Sequence, residues 1–347
     1  MGIPRLIPGP PEKRPAPAAE VPQVSALRAT KTAGIRQRVG SRLPDELFQY
    51  AMLACGVSVA VVLGLIFYEL LANSRLSLHQ FGWSFFTGQT WDPVNSVFGA
   101  LPFIYGTVVS SIVALVIAVP LGLGVAVFIT EMCPQGIRGA LSFVTELLAA
   151  IPSVIYGLWA IFVLVPILRL YIEPALMRSL GWTDLFEGPP YGIGMLAAGI
   201  VLAIMVVPII SSLTREVLSA VPRNQREAAL ALGATRWEMI RVGVLRNARA
   251  GILGAVILGL GRALGETMAV TMVIGNRPEI AKSLLAPGYT MASVLANEFT
   301  EATGNLYLSA LVEIGLALFL VTIVVNALAR LLVWSVTRGL PARIHAQ

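Results

Sequence analysis

The sequence predicts an all-α, polytopic membrane protein with six transmembrane helices. Its 347 residues are 56% hydrophobic and only 13% charged, and its mean hydropathy is +0.78. Soluble domains carry about 25% charged residues, so this composition is typical of a protein that lies largely in a bilayer. Six apolar stretches are each long enough to cross the membrane, for which about 20 residues suffice.

The predicted elements follow in chain order. We expect a disordered, basic, proline-rich cytoplasmic tail in residues 1–46, a first transmembrane helix in residues 48–72 and a periplasmic or interfacial segment in residues 73–102. Five further transmembrane helices are predicted in residues 103–335, and a second cytoplasmic tail in residues 336–347. The most apolar parts of the six predicted spans are residues 48–71, 103–129, 140–167, 191–213, 250–275 and 306–333.

The distribution of basic residues indicates the orientation of the chain. Lys and Arg are concentrated in both tails, at Arg138 and in the connection between the fourth and fifth spans. Short basic loops are retained on the cytoplasmic side of a membrane. Both termini are therefore predicted to be cytoplasmic.

The residue types that carry out chemistry are scarce. Cys55 and Cys133 fall in or beside apolar spans, and His79 and His345 are far apart, so neither a disulfide scaffold nor a metal site is predicted. The sequence has no G-x-x-x-x-G-K-[ST] loop, so ATP hydrolysis by that route is not expected. Basic residues confined to loops and span ends do not indicate nucleic-acid binding. We predict a protein without cofactor that is not an enzyme.

A charged segment, residues 222–246, interrupts the hydrophobic pattern between the fourth and fifth spans. Its Glu and Arg side chains cannot lie in hydrocarbon, so the segment is predicted to lie in water. Pro222 can open a first helix, and Gly233 is suited to ending it. Thr235 and Glu238 have the spacing of a capping box for a second helix. We expect a helix–turn–helix at the membrane surface that another protein can bind.

The fifth predicted span contains two charged residues, Arg262 and Glu266. Each would cost about 2.5–3.5 kcal/mol at a membrane centre, so a partner, a watery cavity or a function is expected. Their spacing allows them to pair on one helix face. We interpret them as part of an anion pathway, in which the guanidinium binds an oxyanion through two parallel hydrogen bonds. The alternative is a structural ion pair between helices.

Two residues of the third predicted span are weaker candidates for the same pathway. Glu146 lies near the start of that span and could line the path, pair with Arg262 or be a helix-end carboxylate near the cytoplasmic interface. Ser153 follows Pro152 and could donate its hydroxyl to an oxyanion, although such a serine often bonds its own helix backbone.

The charged segment resembles the EAA loop of ABC-importer permeases. The resemblance rests on Glu227, Ala228 and Ala229, followed after three residues by Gly233. It implies that these residues form the coupling helix that docks on an ATPase subunit. The sequence departs from the family where Gly243 and Arg246 replace the usual Ile and Pro.

Longer strings make the resemblance more specific. They are W-D-P-V, F-G-A-L-P-F-I-Y-G-T, I-P-S-V-I-Y-G-L-W, G-L-G-R-A-L-G-E-T-M-A-V and L-A-N-E-F, in this order between residues 91 and 299. They are similar to the C-type permease subunits of high-affinity phosphate ABC transporters, and this similarity covers about residues 78–335. It implies the type I ABC-importer (MetI-like) permease fold and a place in a bacterial cytoplasmic (inner) membrane.

The same resemblance implies partners and a substrate. The partners are a homologous A-type permease as heterodimer, two ATPase subunits at the cytoplasmic face, a periplasmic or lipid-anchored phosphate-binding protein and membrane lipid. It implies inorganic phosphate as the substrate and places Arg262 and Glu266 on the phosphate path. Sulfate or molybdate remains an alternative substrate, since both are tetrahedral oxyanions. A phosphate-status sensor or scaffold for a signalling kinase is the alternative from another class.

Overall fold

The computed structural model describes residues 42–337, with side chains for residues 46–335. The chain divides into two units, of which the structure describes residues 42–62 and residues 63–337. The described part of the first unit is a continuous stretch of helix. The predicted tails lie mostly outside the described residues, although the first helix already begins at Arg42 and the last continues to Thr337.

Six helices in the described part of the chain are long and apolar enough to cross a membrane, which confirms the predicted number. These spans, numbered one to six, are Glu46–Asn73, Leu101–Met132, Ser153–Leu180, Met195–Ser219, Arg236–Leu264 and Asn305–Ser335. The fourth span is the most buried of the six, and spans two and five pack most extensively against it.

Some spans combine α-helical stretches with wider π-helical turns. The α-helical stretches of the spans are Arg42–Asn73, Leu101–Val127, Ser153–Trp159, Val165–Ile167, Glu173–Leu180, Met195–Ser219, Arg236–Glu238, Arg246–Leu264 and Asn305–Thr337. The π-helical turns are Phe128–Met132, Ala160–Leu164, Leu168–Ile172 and Met239–Leu245. In the third span each π turn lies just before a proline, Pro166 or Pro174. A proline has no N–H and its ring clashes with the carbonyl four residues earlier, so a widened turn accommodates it.

Shorter elements connect the spans. The connecting helices are Arg75–Phe81, Ser84–Thr87, Gln135–Ala150, Arg223–Ala231, Met268–Val273 and Met291–Glu298, with a single 3₁₀ turn at Asp184–Phe186. A two-stranded antiparallel ribbon pairs Trp91–Asp92 with Val97–Phe98. This ribbon is a small departure from the predicted all-α fold, which the helices otherwise confirm.

The third span begins later than predicted. The expected start at residue 140 lies inside the helix Gln135–Ala150, which we call the lateral helix. That helix ends because Pro152 forces the preceding Ile151 into extended backbone, with ψ of 129°. The third span then starts at Ser153, immediately after the proline. The apolar run across residues 140–167 therefore spans two helices.

The fifth span is also shifted. It was predicted over residues 250–275, but its helix starts at Arg236 and ends at Leu264. Its first residues, Arg236–Glu238, are exposed, so a helix that begins at the surface continues into the apolar region. The predicted remainder, residues 265–275, contains a break and a separate short helix, Met268–Val273.

Three apolar clusters hold the second unit together. The central cluster joins spans two, three and four with the short helix Met268–Val273. A second cluster lies where span two begins, and it buries Phe85 and Trp91 from the predicted interfacial segment against span six and the helix Met291–Glu298. A third cluster lies where span two ends, beneath the charged segment. The ends of the bundle are thus held by separate cores.

Candidate functional site

The two charged residues of the fifth span lie at a break in the helix. Arg262 occupies the last turn before Leu264, and Gly265 ends the helix. Glu266 lies in the break, two residues before the short helix that starts at Met268. The pair is therefore not on one uninterrupted helix, as the spacing had suggested.

The two side chains nevertheless approach each other. The Nη2 atom of Arg262 lies 3.7 Å from the Oε2 atom of Glu266. The Glu266 side chain is 6% exposed, whereas that of Arg262 is 44% exposed. The other carboxylate oxygen of Glu266 accepts a hydrogen bond from the backbone N–H of Ala269 at 3.4 Å. Within residues 46–335, most guanidinium donors of Arg262 therefore make no hydrogen bond, whereas Glu266 is held by the backbone.

Glu146 pairs with a different arginine. Its Oε1 atom lies 2.5 Å from the Nη2 atom of Arg215 in the fourth span, so the alternative of a pair with Arg262 does not hold. The Glu146 side chain is exposed on the lateral helix. The ion pair of Glu146 with Arg215 therefore connects the lateral helix to the fourth span.

Ser153 is the first residue of the third span and is half-buried. Its hydroxyl makes no hydrogen bond within the described part of the chain, so the local backbone bond that often satisfies such a serine is absent. No hydrogen bond in residues 42–337 joins Ser153 or Glu146 to Arg262. The structure brings Arg262 and Glu266 together but not the other two candidates.

The charged segment folds as a helix, a turn and a second helix, as predicted. The first helix, Arg223–Ala231, follows Pro222 and buries no residue; we call it the coupling helix. Glu227 and Ala228 are exposed on it, and Ala229 is half-buried. Three of the four residues of the predicted docking site thus lie on one short surface helix.

Gly233 makes the turn that follows the coupling helix. Its φ of +85° is a left-handed conformation that favours glycine, and its backbone N–H donates to the carbonyl of Leu230. The predicted capping box of the next helix is present. The Thr235 hydroxyl accepts from the N–H of Glu238, and the Glu238 carboxylate accepts from the N–H of Thr235 at 2.8 Å.

The tip of the charged segment exposes large apolar side chains. Leu230, Leu232 and Trp237 surround the turn, and Leu232 is 90% exposed. Exposed apolar groups of this size beside charged residues are typical of a surface that binds another protein.

The structure adds a contact that the sequence did not predict. Arg226, one residue before Glu227, binds the carboxylate of Glu131, which is 95 residues earlier in the chain. A second contact joins Asn247 to Gln225, with Asn247 Nδ2 donating to Gln225 Oε1 at 2.6 Å. Both partners lie far from the coupling helix in sequence, so no local pattern could have identified them.

Comparison with known proteins identifies the family of this chain. The family model described as binding-protein-dependent transport system inner membrane component matches residues 118–338. This match covers more than half of the chain. The chain belongs to this family. Members of this permease family are inner-membrane components of transport systems, so the chain is a multi-pass inner-membrane protein with a role in transport.

Several curated relatives of the permease family are similar over most of the chain. A Mesorhizobium japonicum protein named phosphate transport system permease protein PstC is 47% identical over 309 residues, which are 88% of this chain and 94% of that protein. PstC of Xylella fastidiosa is 45% identical, covering 90% of this chain and 97% of its own. PstC of Haemophilus influenzae is 44% identical, covering 83% and 93%.

A solved structure shares the fold of this permease. It is that of a bacterial ABC transporter involved in the import of the acidic polysaccharide alginate. The likeness has a TM-score of 0.55 at 16% identity and covers 85% of this chain and 99% of that chain. The predicted six-span ABC-importer permease fold is therefore confirmed.

Proposed function

We propose that this permease is the transmembrane subunit of an ABC importer that carries inorganic phosphate across the inner membrane by alternating access. The observation that supports this most directly is the high identity to three PstC proteins over nearly their whole length. In this proposal ATP hydrolysis takes place on a separate subunit, since the sequence has no G-x-x-x-x-G-K-[ST] loop.

The Arg262 region is the proposed phosphate path. A half-exposed guanidinium at a helix break can donate two hydrogen bonds to a tetrahedral oxyanion. The buried Glu266 neutralises Arg262 between transport cycles and limits how tightly the anion is held. Ser153 offers a further hydroxyl donor, whereas the tie between Glu146 and Arg215 makes Glu146 a structural residue in this proposal.

The charged segment is the proposed ATPase-docking site. Glu227, Ala228 and Ala229 form the exposed helix, and Gly233 presents the apolar tip around Leu232. In this proposal one of two ATPase subunits receives this tip, and the partner permease docks on the other. This arrangement places the segment and both chain termini in the cytoplasm, in agreement with the basic residues there.

The exposed surface of the lateral helix is the observation that favours a second permease as partner. Its 16 residues bury none of their side chains in this chain, and Phe143 and Leu147 are among those exposed. A homologous A-type permease would cover this face in a heterodimer. A phosphate-binding protein would deliver phosphate at the opposite end of the bundle.

The proposed cycle needs two arrangements of the permease pair. ATP closes the ATPase dimer and moves the coupling helices, so that the cavity opens toward the binding protein. Phosphate passes the Arg262 region, and hydrolysis restores the inward-open arrangement.

ATP hydrolysis by the assembled transporter tests the proposed substrate. The complex is reconstituted in liposomes with its binding protein, and ADP release is followed by a coupled assay, because released phosphate would confound a phosphate assay. Phosphate is expected to stimulate hydrolysis, and sulfate or molybdate at equal concentration is not. Stimulation by sulfate or molybdate without stimulation by phosphate would refute the assignment.

A further inference from the structure

The guanidinium of Arg226 joins three elements at the base of the coupling helix. Its Nη2 atom donates to Glu131 Oε1 at 2.8 Å and to the carbonyl of Leu218 at 2.9 Å. Its Nη1 atom donates to the carbonyl of Val221, and its Nε atom lies 3.3 Å from both carboxylate oxygens of Glu131. The side chain therefore uses all three of its nitrogens.

Two of the contacted residues belong to spans, and Val221 lies in the connection that follows the fourth span. Glu131 lies in the π-helical turn that ends the second span, and Leu218 is in the last turn of the fourth span. Arg226 itself is on the coupling helix. The one guanidinium thus links the coupling helix to the ends of the second and fourth spans, the latter being the most buried span of the bundle.

This junction is shielded from water. The side chains of Arg226 and Glu131 are 18% and 7% exposed. An ion pair that is largely buried and bidentate is held in one geometry, unlike a surface pair that exchanges with solvent.

The coupling helix packs against the π-helical turn Met239–Leu245 of the fifth span, where Gly243 lies close to the backbone of Gln225. None of its residues is buried, and only Ala229 packs partly against the apolar cluster below. The contact of Gln225 with Asn247 also leads to the fifth span, so Arg226 is the side chain whose hydrogen bonds attach this helix to the second and fourth spans.

We propose that Arg226, held by Glu131, is the positioning residue that transmits displacement of the coupling helix to the second and fourth spans. This inference rests on the proposed function, since it assigns the mechanical link of the same transport cycle. Loss of the link leaves the docking surface intact and separates ATP hydrolysis from movement of the spans. A lysine cannot replace the arginine, because one ammonium cannot reach the carboxylate and both carbonyls in this fork geometry.

The experiment compares Arg226→Gln, Arg226→Lys and Glu131→Gln with wild type in the reconstituted transporter. The ratio of phosphate taken up to ATP hydrolysed is expected to fall about tenfold or more in all three variants, with basal ATP hydrolysis within about twofold of wild type. ATPase co-purification is expected to be unchanged. Arg223→Gln is the matched control, because Arg223 is exposed on the same helix and makes no ion pair within the described residues.

Three results would overturn the inference. An unchanged transport ratio in Arg226→Gln would show that the junction transmits nothing. Full rescue by Arg226→Lys would mean that only the charge matters. Loss of the ATPase in proportion to loss of transport would make Arg226 a docking or folding residue.

A second readout separates this inference from the proposed function. Hydrogen–deuterium exchange of the second and fourth spans is measured before and after trapping the complex with ATP and vanadate. Wild type is expected to change on trapping, and Arg226→Gln is not. If wild type moves no phosphate, the proposed substrate is wrong, and the exchange difference still decides whether Arg226 transmits the movement.

Discussion

Arg262 Nη2 lies 3.7 Å from Glu266 Oε2 across the point where the helix of the fifth span ends. The two residues differ in environment, since the arginine is half-exposed and the glutamate is buried. A helix break within an apolar bundle leaves backbone groups without their helical hydrogen-bond partners, which a continuous helix would not do. In the proposed transport path, an anion contacts the exposed arginine of this pair.

Removal of the arginine alone is expected to destabilise the permease. Arg262→Gln leaves the buried Glu266 carboxylate without its cation, which costs about 1–3 kcal/mol. The double variant, Arg262→Gln with Glu266→Gln, should regain most of this stability because no buried charge is left. Thermal aggregation midpoints of the detergent-purified complex would measure the difference. Equal midpoints for Arg262→Gln and wild type would show that the pair contributes nothing to the fold.

The backbone conformation of Gly233 provides a test of the docking turn. Gly233→Val places a β-branched residue at φ of +85°, at a cost of about 1–2 kcal/mol, and should reduce ATPase co-purification. Gly233→Asn is the control, because asparagine tolerates the left-handed region. A Cβ at this position meets no atom within 4 Å, so packing cannot explain a difference. If Val and Asn variants retain the ATPase equally, the turn is not needed for docking.

Substitution of the exposed Leu232 tests docking of the ATPase without disturbing the fold of the permease. Leu232→Asp should release the ATPase while leaving the thermal stability of the permease unchanged, because the side chain is 90% exposed. The control is Val94→Asp, since Val94 is 91% exposed in the loop of the two-stranded ribbon. Pull-down of the ATPase with each purified variant measures the effect. Retention of the ATPase by Leu232→Asp would contradict the docking assignment.

Gly106 tests the packing of the second span. A Cβ there would lie 2.2 Å from the backbone carbonyl oxygen of Tyr289, which cannot move like a side chain. Gly106→Ala is therefore expected to lower stability by about 1–3 kcal/mol. Gly64→Ala in the first span is the control, because its Cβ would meet nothing within 4 Å. Comparable yields and melting midpoints for the two variants would show that the second span does not pack as described.

Local signals in the sequence predicted much of the fold. Apolar length alone gave the number of spans, because a bilayer requires about 20 such residues whatever their packing. The capping box at Thr235 and the turn at Gly233 were also predictable, since each depends on residues within one helical turn.

Some features of the structure could not be predicted, among them the starts of two spans. The start of the third span was missed because residues on both sides of Pro152 are equally apolar, so hydropathy does not register the change of helix. The start of the fifth span was missed because its first turns are charged although they are helical. The contact of Arg226 with Glu131 joins residues 95 apart, and only the packing of spans two and four brings them together.

Phosphate uptake by cells that lack their own phosphate permease tests the central claim most directly. The cells carry either wild type or Arg262→Gln at matched membrane levels, together with the other transporter subunits. Wild type is expected to restore uptake and Arg262→Gln to reduce it at least about a hundredfold, as expected when a site loses its main charged ligand group. Equal uptake by both would contradict the account, because the oxyanion path would not pass Arg262.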